Sequence, residues 1–373
     1  MVLKRFFPKI PRSVLLALLV VVLSKGLVFS IGYATTYINE GLTDPLTILL
    51  SQFNRWDAPH YLDIARNWYV NEGDPANFIV FFPLYPMLIR LATINFSTIG
   101  LSAIIVSNVS SFFAFLYLYK LAKLEFGDGV ALKAVLFLSI FPTAYFLSAP
   151  YTEGLFFALT ISCIYYARVG RWQLAGMLGF FATLTRLAGL LLLPALLVEY
   201  LHQKRWKPWK LDLKFLWILL PIVGFLIYLN INLQVTGDAF KFMEIERIHW
   251  YNYLNPLVGL NQAVLFSRHI FPDNFVYGFA PIGFGFFGLL MVEAGFLLRL
   301  RPSYNTYMLL SWMLAMSTSF WISVPRYIMA VFPLFFVLAL MSKRKIVMLS
   351  ISAVFLSLLC FFTVLFALHL WAF

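Results

Sequence analysis

The stretch FNRWDAPHY, residues 53–61, concentrates ionisable and hydrogen-bonding side chains in a chain of which only 12% is charged. Asp57 is its candidate general base, because a carboxylate half withdrawn from water accepts a proton better than a solvated one. His60 is the second candidate base. From Ala58 onward the pattern fits a short interfacial helix, with Asp57 where an N-cap would stand and Pro59 in the first turn, so capping is the competing role. At helical spacing Asp57, His60, Tyr61, Ile64 and Trp68 share a face. Glu153, in SAPYTE, and Arg186 and Arg326, within apolar runs, are the other groups able to do chemistry. Isolated ionisable residues at membrane depth are expensive and are functional candidates by default. Glu153 also suits a helix start, and each arginine can instead snorkel to an interface. Two arginines, with Lys241 or Arg247, would suit an anionic phosphate. No second cluster of His, Cys or carboxylate has metal-site spacing, although Asp57 could help to hold a divalent cation.

The elements that must position these groups are membrane helices. The 373 residues are 62% hydrophobic, with a mean hydropathy of +0.85, whereas soluble domains run nearer half apolar and a quarter charged. Apolar runs of spanning length recur from Val14 to the C-terminus, and they are continuous rather than alternating, which excludes a β-barrel. The N-terminal run is too long for a signal peptide and reads as a retained first span. The net charge of +12 reflects basic loops that set topology, and no soluble basic domain is present for nucleic acid. Cys163 and Cys360 both fall in apolar runs and imply no disulfide framework.

The sequence predicts an all-α polytopic protein of about eleven spans, near 13–33, 100–119, 131–148, 153–167, 172–186, 187–201, 214–233, 277–298, 304–321, 327–342 and 346–371. Lys4, Arg5, Lys9 and Arg12 place the N-terminus in the cytoplasm. Lys120, Lys123, Lys133, Arg168, Arg171, HQKRWKPWKLDLK (202–214), Arg299, Arg301 and Lys343–Lys345 join them only if 172–201 is a hairpin of two short spans. Its break at Thr185–Arg186 must then border a cavity, since lipid cannot satisfy exposed backbone. Outer loops follow at about 34–99 and 234–276, the first carrying six acidic residues. FFPLYPMLIRL, 81–91, reads as an amphipathic interfacial helix flooring a lipid-accessible groove. In this topology Asp57, Glu153, Arg186 and Arg326 converge on the non-cytoplasmic face.

Five blocks carry a resemblance: RWDAPHYLDIA, FFPLYP, SAPYTEG, ATLTRLAG and TGDAFKF with Trp250, with a weaker echo at SVPRYIMAVFP. In this order they resemble the PIG-V-like mannosyltransferases, relatives of GPI mannosyltransferase II within the GT-C class of membrane glycosyltransferases. The resemblance implies a single GT-C-like domain over 1–373 that moves a sugar, usually mannose, from a polyprenyl-phosphate donor to a lipid- or glycan-linked acceptor at the external or lumenal face. By motif, Asp57 is the essential acid of the first outer loop. Arg55, Trp56, His60, Tyr61, Glu153, Arg186, Asp238, Trp250 and Arg326 are the expected substrate-binding residues. The chain is shorter than its eukaryotic relatives, which points to a prokaryotic origin and an acceptor other than GPI. A flippase for lipid-linked sugars and a non-catalytic subunit of a transferase complex are the rival readings; a transporter would usually show polar groups through both halves and inverted repeats, and neither is visible.

Overall fold

The computed structural model describes residues 11–373 except 208, 210 and 211. Lys4, Arg5, Lys9 and Lys210, used above to orient the chain, lie outside the described residues. Seventeen α-helices and no named strand occur among the described residues: α1 (Arg12–Glu40), α2 (Pro45–Ser51), α3 (Ala58–Asn67), α4 (Leu84–Ala92), α5 (Ile99–Phe126), α6 (Asp128–Ser139), α7 (Glu153–Arg168), α8 (Trp172–Thr183), α9 (Leu192–Gln203), α10 (Leu220–Thr236), α11 (Lys241–Ile248), α12 (Pro256–Phe266), α13 (Ala280–Leu297), α14 (Pro302–Met316), α15 (Val324–Met329), α16 (Leu334–Met341) and α17 (Lys345–Ala367).

Each of the eleven expected segments coincides with helix, but their lengths divide them into two kinds. Five helical stretches are long and apolar enough to cross a membrane: α1, α5, α10 with its lead-in from Leu213, α13 with its lead-in from Asn274, and α17. Two further pairs pass the same test only as bent units, at 111° for Asp74–Val80 with α4 and 68° for Trp321–Met329 with α16. The remaining expected spans are helices of 12 to 16 residues. Long helices expose Leu19, Val22, Phe286 and Val354, as surfaces facing hydrocarbon should. The short ones pack inside, and α7 is buried along nearly its whole length.

The chain bends sharply between Asp74–Val80 and α4, which opens within the 81–91 stretch. Leu84 N donates to Leu184 O at 3.0 Å, so the start of α4 is pinned to the end of α8. The 172–201 segment does form the hairpin: the rings of Trp172, opening α8, and Tyr200, near the end of α9, lie 5.0 Å apart. Its reversal is tight because Gly189 has no side chain; a Cβ there would sit 2.5 Å from Thr183 N. Close approach also seats α7 on α5, where a Cβ on Gly154 would meet Ser107 O at 2.8 Å. Small residues at such contacts let helices approach where water supplies no driving force between them.

The basic clusters meet at one end of the bundle. Arg168 bonds Glu125 at 2.5 Å, Tyr304 bonds the same carboxylate at 2.8 Å, Arg301 grips Glu199, and Lys133 donates to Ser342 O. Glu153 and Arg168 bound the 16 residues of α7, so the candidate site lies about 24 Å away at the opposite end.

Candidate active site

Four charged side chains from four separated segments meet around α7. Arg326 Nη1 donates to Asp57 Oδ2 at 3.0 Å. Arg326 Nε lies 3.1 Å from Glu153 Oε1, and Arg186 Nη1 reaches the same oxygen at 2.5 Å. Arg186 Nη1 also donates to Thr152 Oγ1 at 3.0 Å. Glu153 Oε2 is buried and has no hydrogen-bond partner. Arg326 Nε is near a carboxylate but poorly aligned, and it makes no hydrogen bond. Two basic and two acidic side chains thus face one another, with hydrogen-bonding capacity left unused on Glu153 and Arg326.

Local structure explains each placement. Asp57 precedes α3 but its side chain caps nothing, and its carboxylate is held by Arg326 instead. Its backbone N–H donates to Tyr151 Oη at 3.2 Å, and Tyr151 Oη donates to Arg55 O at 2.8 Å. Trp56, at φ 53°, sits in the left-handed region, a strained conformation that survives only where its surroundings enforce it. Its indole lies edge-on to Trp371 at 4.9 Å. Glu153 opens α7, where the helix dipole favours a negative charge. Arg186 occupies extended backbone between α8 and the turn Leu187–Leu191. The guanidinium of Arg326 lies over the rings of Phe146, Tyr151 and Tyr327 at 5.1 to 5.7 Å, a packing suited to a delocalised cation.

These groups open onto a cavity of about 600 Å³. Asp57, Arg186 and Arg326 line it, joined by Trp56, His60, Tyr61 and Trp250. His60 lies flat on Phe81 at 5.2 Å and edge-on to Phe78 and Trp250, with a buried, unpartnered Nδ1. Burial lowers its pKa against the pull of Asp57, so the neutral ring is favoured. The inner walls are apolar, with Phe156, Leu187, Leu191 and Leu314. Thr185 and Arg186 border the cavity, as non-helical backbone at this depth requires.

Some expected residues are elsewhere. Arg55 is buried beneath the loop, paired to Glu40 at 2.5 Å, and does not line the cavity; its charge serves the loop. Asp238 is exposed and its Oδ1 accepts from Phe240 N at 2.9 Å, a local turn bond away from the cavity. Glu153 stands behind the arginines rather than on the wall. Lys241 pairs with Glu244 at 2.7 Å and does not join the arginines. Among the described residues no group of three His, Cys, Asp or Glu is arranged to hold a metal ion.

Three contributors escaped the sequence reading. Tyr151 holds the Asp57 backbone. Lys25, in α1, donates to Asn108 Oδ1, Leu147 O and Ser148 Oγ at 2.8 to 3.2 Å and so fixes the turn before Glu153; a lone charge inside a first span was the available signal. Glu246 lines the cavity from α11, and burial pushes its carboxyl up to about 7.

The family model described as mannosyltransferase (PIG-V) matches residues 16–236. GPI mannosyltransferase 2 of Cryptococcus neoformans var. neoformans serotype D (strain JEC21 / ATCC MYA-565) is 34% identical over 148 residues, 36% of this chain and 34% of that protein. The GPI alpha-1,6-mannosyltransferases 2 of Mus musculus and Homo sapiens are 34% and 32% identical over 160 and 163 residues, in each case 40% of this chain and 32% of theirs. The chain thus spans about a third of the length of the curated relatives it matches. The crystal structure of ArnT from Cupriavidus metallidurans bound to undecaprenyl phosphate shares the fold, with a TM-score of 0.52 at 17% identity over 87% of this chain and 60% of that one. With more than half of its length matched by the family model, the chain belongs to the PIG-V mannosyltransferase family.

Proposed function

We propose that the chain is an inverting mannosyltransferase that takes its sugar from a polyprenyl-phosphate donor on the non-cytoplasmic side of the membrane. The observation that carries this reading is the joining of Asp57 to Arg326, and through Glu153 to Arg186, around one cavity. The donor phosphate binds the two guanidinium groups, which present planar arrays of donors to its oxygens. Its prenyl chain follows the apolar walls towards the bilayer. In drawing Arg326 to itself, the phosphate frees Asp57 Oδ2 from its hydrogen bond. That oxygen then accepts the proton of the acceptor hydroxyl as the alkoxide oxygen attacks the anomeric carbon from the face opposite the phosphate. The new glycosidic bond forms, the sugar–phosphate C–O bond breaks, and its electron pair stays on the phosphate. The departing monoester carries more charge than the diester, so fixed arginines stabilise the transition state more than the ground state. No second acid is needed at the leaving group, in contrast to glycoside hydrolysis.

A polyprenyl-phosphate partner is supported by the likeness in fold to ArnT, which was solved with undecaprenyl phosphate. The test is mannose transfer by purified Asp57→Asn protein from labelled polyprenyl-phosphate-mannose. Transfer should fall by about 10²- to 10⁴-fold in protein that remains folded. Near-normal turnover in a folded variant rejects Asp57 as the base, and transfer from GDP-mannose alone rejects the lipid donor.

A further inference from the structure

α11 and the turn after it form a separate wall of the same cavity, contributing Glu246, His249, Trp250, Tyr251 and Asn252. The turn is tied to itself twice: Asn252 N donates to Glu246 O at 2.8 Å, and Asn252 Nδ2 donates to Glu246 Oε2 at 3.0 Å. An amide facing a carboxylate must present its nitrogen, which turns Asn252 Oδ1 away. That oxygen is buried and has no partner. The next residues are held in turn, since Tyr253 N donates to Ser319 Oγ at 3.0 Å and Ser319 N to Tyr253 O at 2.8 Å. On this wall the Glu246 carboxylate lines the cavity as an acceptor, braced by Asn252, whereas the arginines across from it offer only donors. One wall suits an anion, and the other suits a group rich in O–H or N–H.

We propose that Glu246, held in place by Asn252, forms the acceptor subsite, taking hydrogen bonds from the hydroxyl groups next to the one that Asp57 deprotonates. This rests on the reading under Proposed function. The ligand class is a neutral polyol head, a sugar or cyclitol; a second phosphate against this wall would meet the Glu246 carboxylate and be repelled. The groups around Glu246 are Asp57, Arg186, Tyr228, Tyr327 and Asn252, and His60 and His249 line the same cavity. Burial is the main reason its carboxyl titrates near 7, so the charged, accepting form is depleted as pH falls below that value. Glu246 and Asn252 are positioning residues: they orient the polyol and take no proton from the attacking oxygen.

The experiment measures mannose transfer from labelled polyprenyl-phosphate-mannose into a total lipid extract of the source cells, varying extract and donor separately. Glu246→Gln, which keeps the shape, should raise the half-saturating amount of extract about tenfold or more, with donor half-saturation unchanged. Asn252→Ala should shift it in the same direction by a smaller factor. In the wild type, extract saturation should weaken as pH falls through about 7, and Glu246→Gln should flatten that profile. An unchanged extract curve in Glu246→Gln, or equal shifts for extract and donor, overturns the subsite. Full transfer by Asp57→Asn in the same assay instead brings down the reading beneath it.

Discussion

At the C-terminal end of α7, Glu199 accepts from Arg301 Nε at 2.7 Å and Nη2 at 2.9 Å, and from Ser303 and Gln203 at 2.7 and 2.6 Å. Both of its oxygens are used, and its side chain is wholly buried. At the N-terminal end, Glu153 is almost as deeply buried, yet one oxygen serves two arginines and the other serves nothing. Either arrangement holds helices together. The first is completed by the protein itself, as buried charge requires for stability. The second keeps hydrogen-bonding capacity in reserve, which is costly unless a ligand uses it. Net charge does not distinguish the two ends; completeness does.

The largest effect expected from this contrast is at Arg326. Arg326→Lys keeps a positive charge but loses the planar array that addresses Asp57 and Glu153 together. Its kcat/KM for the lipid donor should fall about 10²- to 10³-fold, and a loss no greater than a few-fold would make the arginine structural. Glu199→Ala probes the completed end. Removing one partner of a buried pair costs about 3–5 kcal/mol, so thermal unfolding in detergent should shift down strongly while donor KM in the folded protein stays put. A change in donor KM would break the division between the two ends. Asp238→Ala should do least: it removes an exposed turn bond worth about 1 kcal/mol or less, and turnover should stay within about twofold of wild type. A larger loss of activity would return Asp238 to the site.

The arginines and acids of the site were legible because charge is rare in this chain and the basic loops fix which segments share an end. The hairpin was legible for the same reason, since a single span over 172–201 would have put the 202–214 cluster on the wrong side. The bends at 111° and 68° were not, because hydropathy reports apolar content and not direction. Arg55 and Asp238 were misplaced because block membership does not separate a residue that lines the cavity from one that supports its wall. Glu246 went unremarked among neighbouring charges at 241–247, since only burial by distant segments sets it apart. Tyr151 gave no signal as a bare phenol two residues before an acid.

Gly189 gives the hairpin a consequence of its own. Only two residues separate this glycine from Arg186, Gly189 N donates to Arg186 O at 2.9 Å, and the backbone of Ala182–Thr183 already fills the space a methyl group would occupy. The position of the Arg186 guanidinium in the candidate site is thereby written in main-chain fit, beyond the reach of its own side-chain chemistry. A sequence could keep every charge of this site and still lose the reaction by gaining a single carbon there.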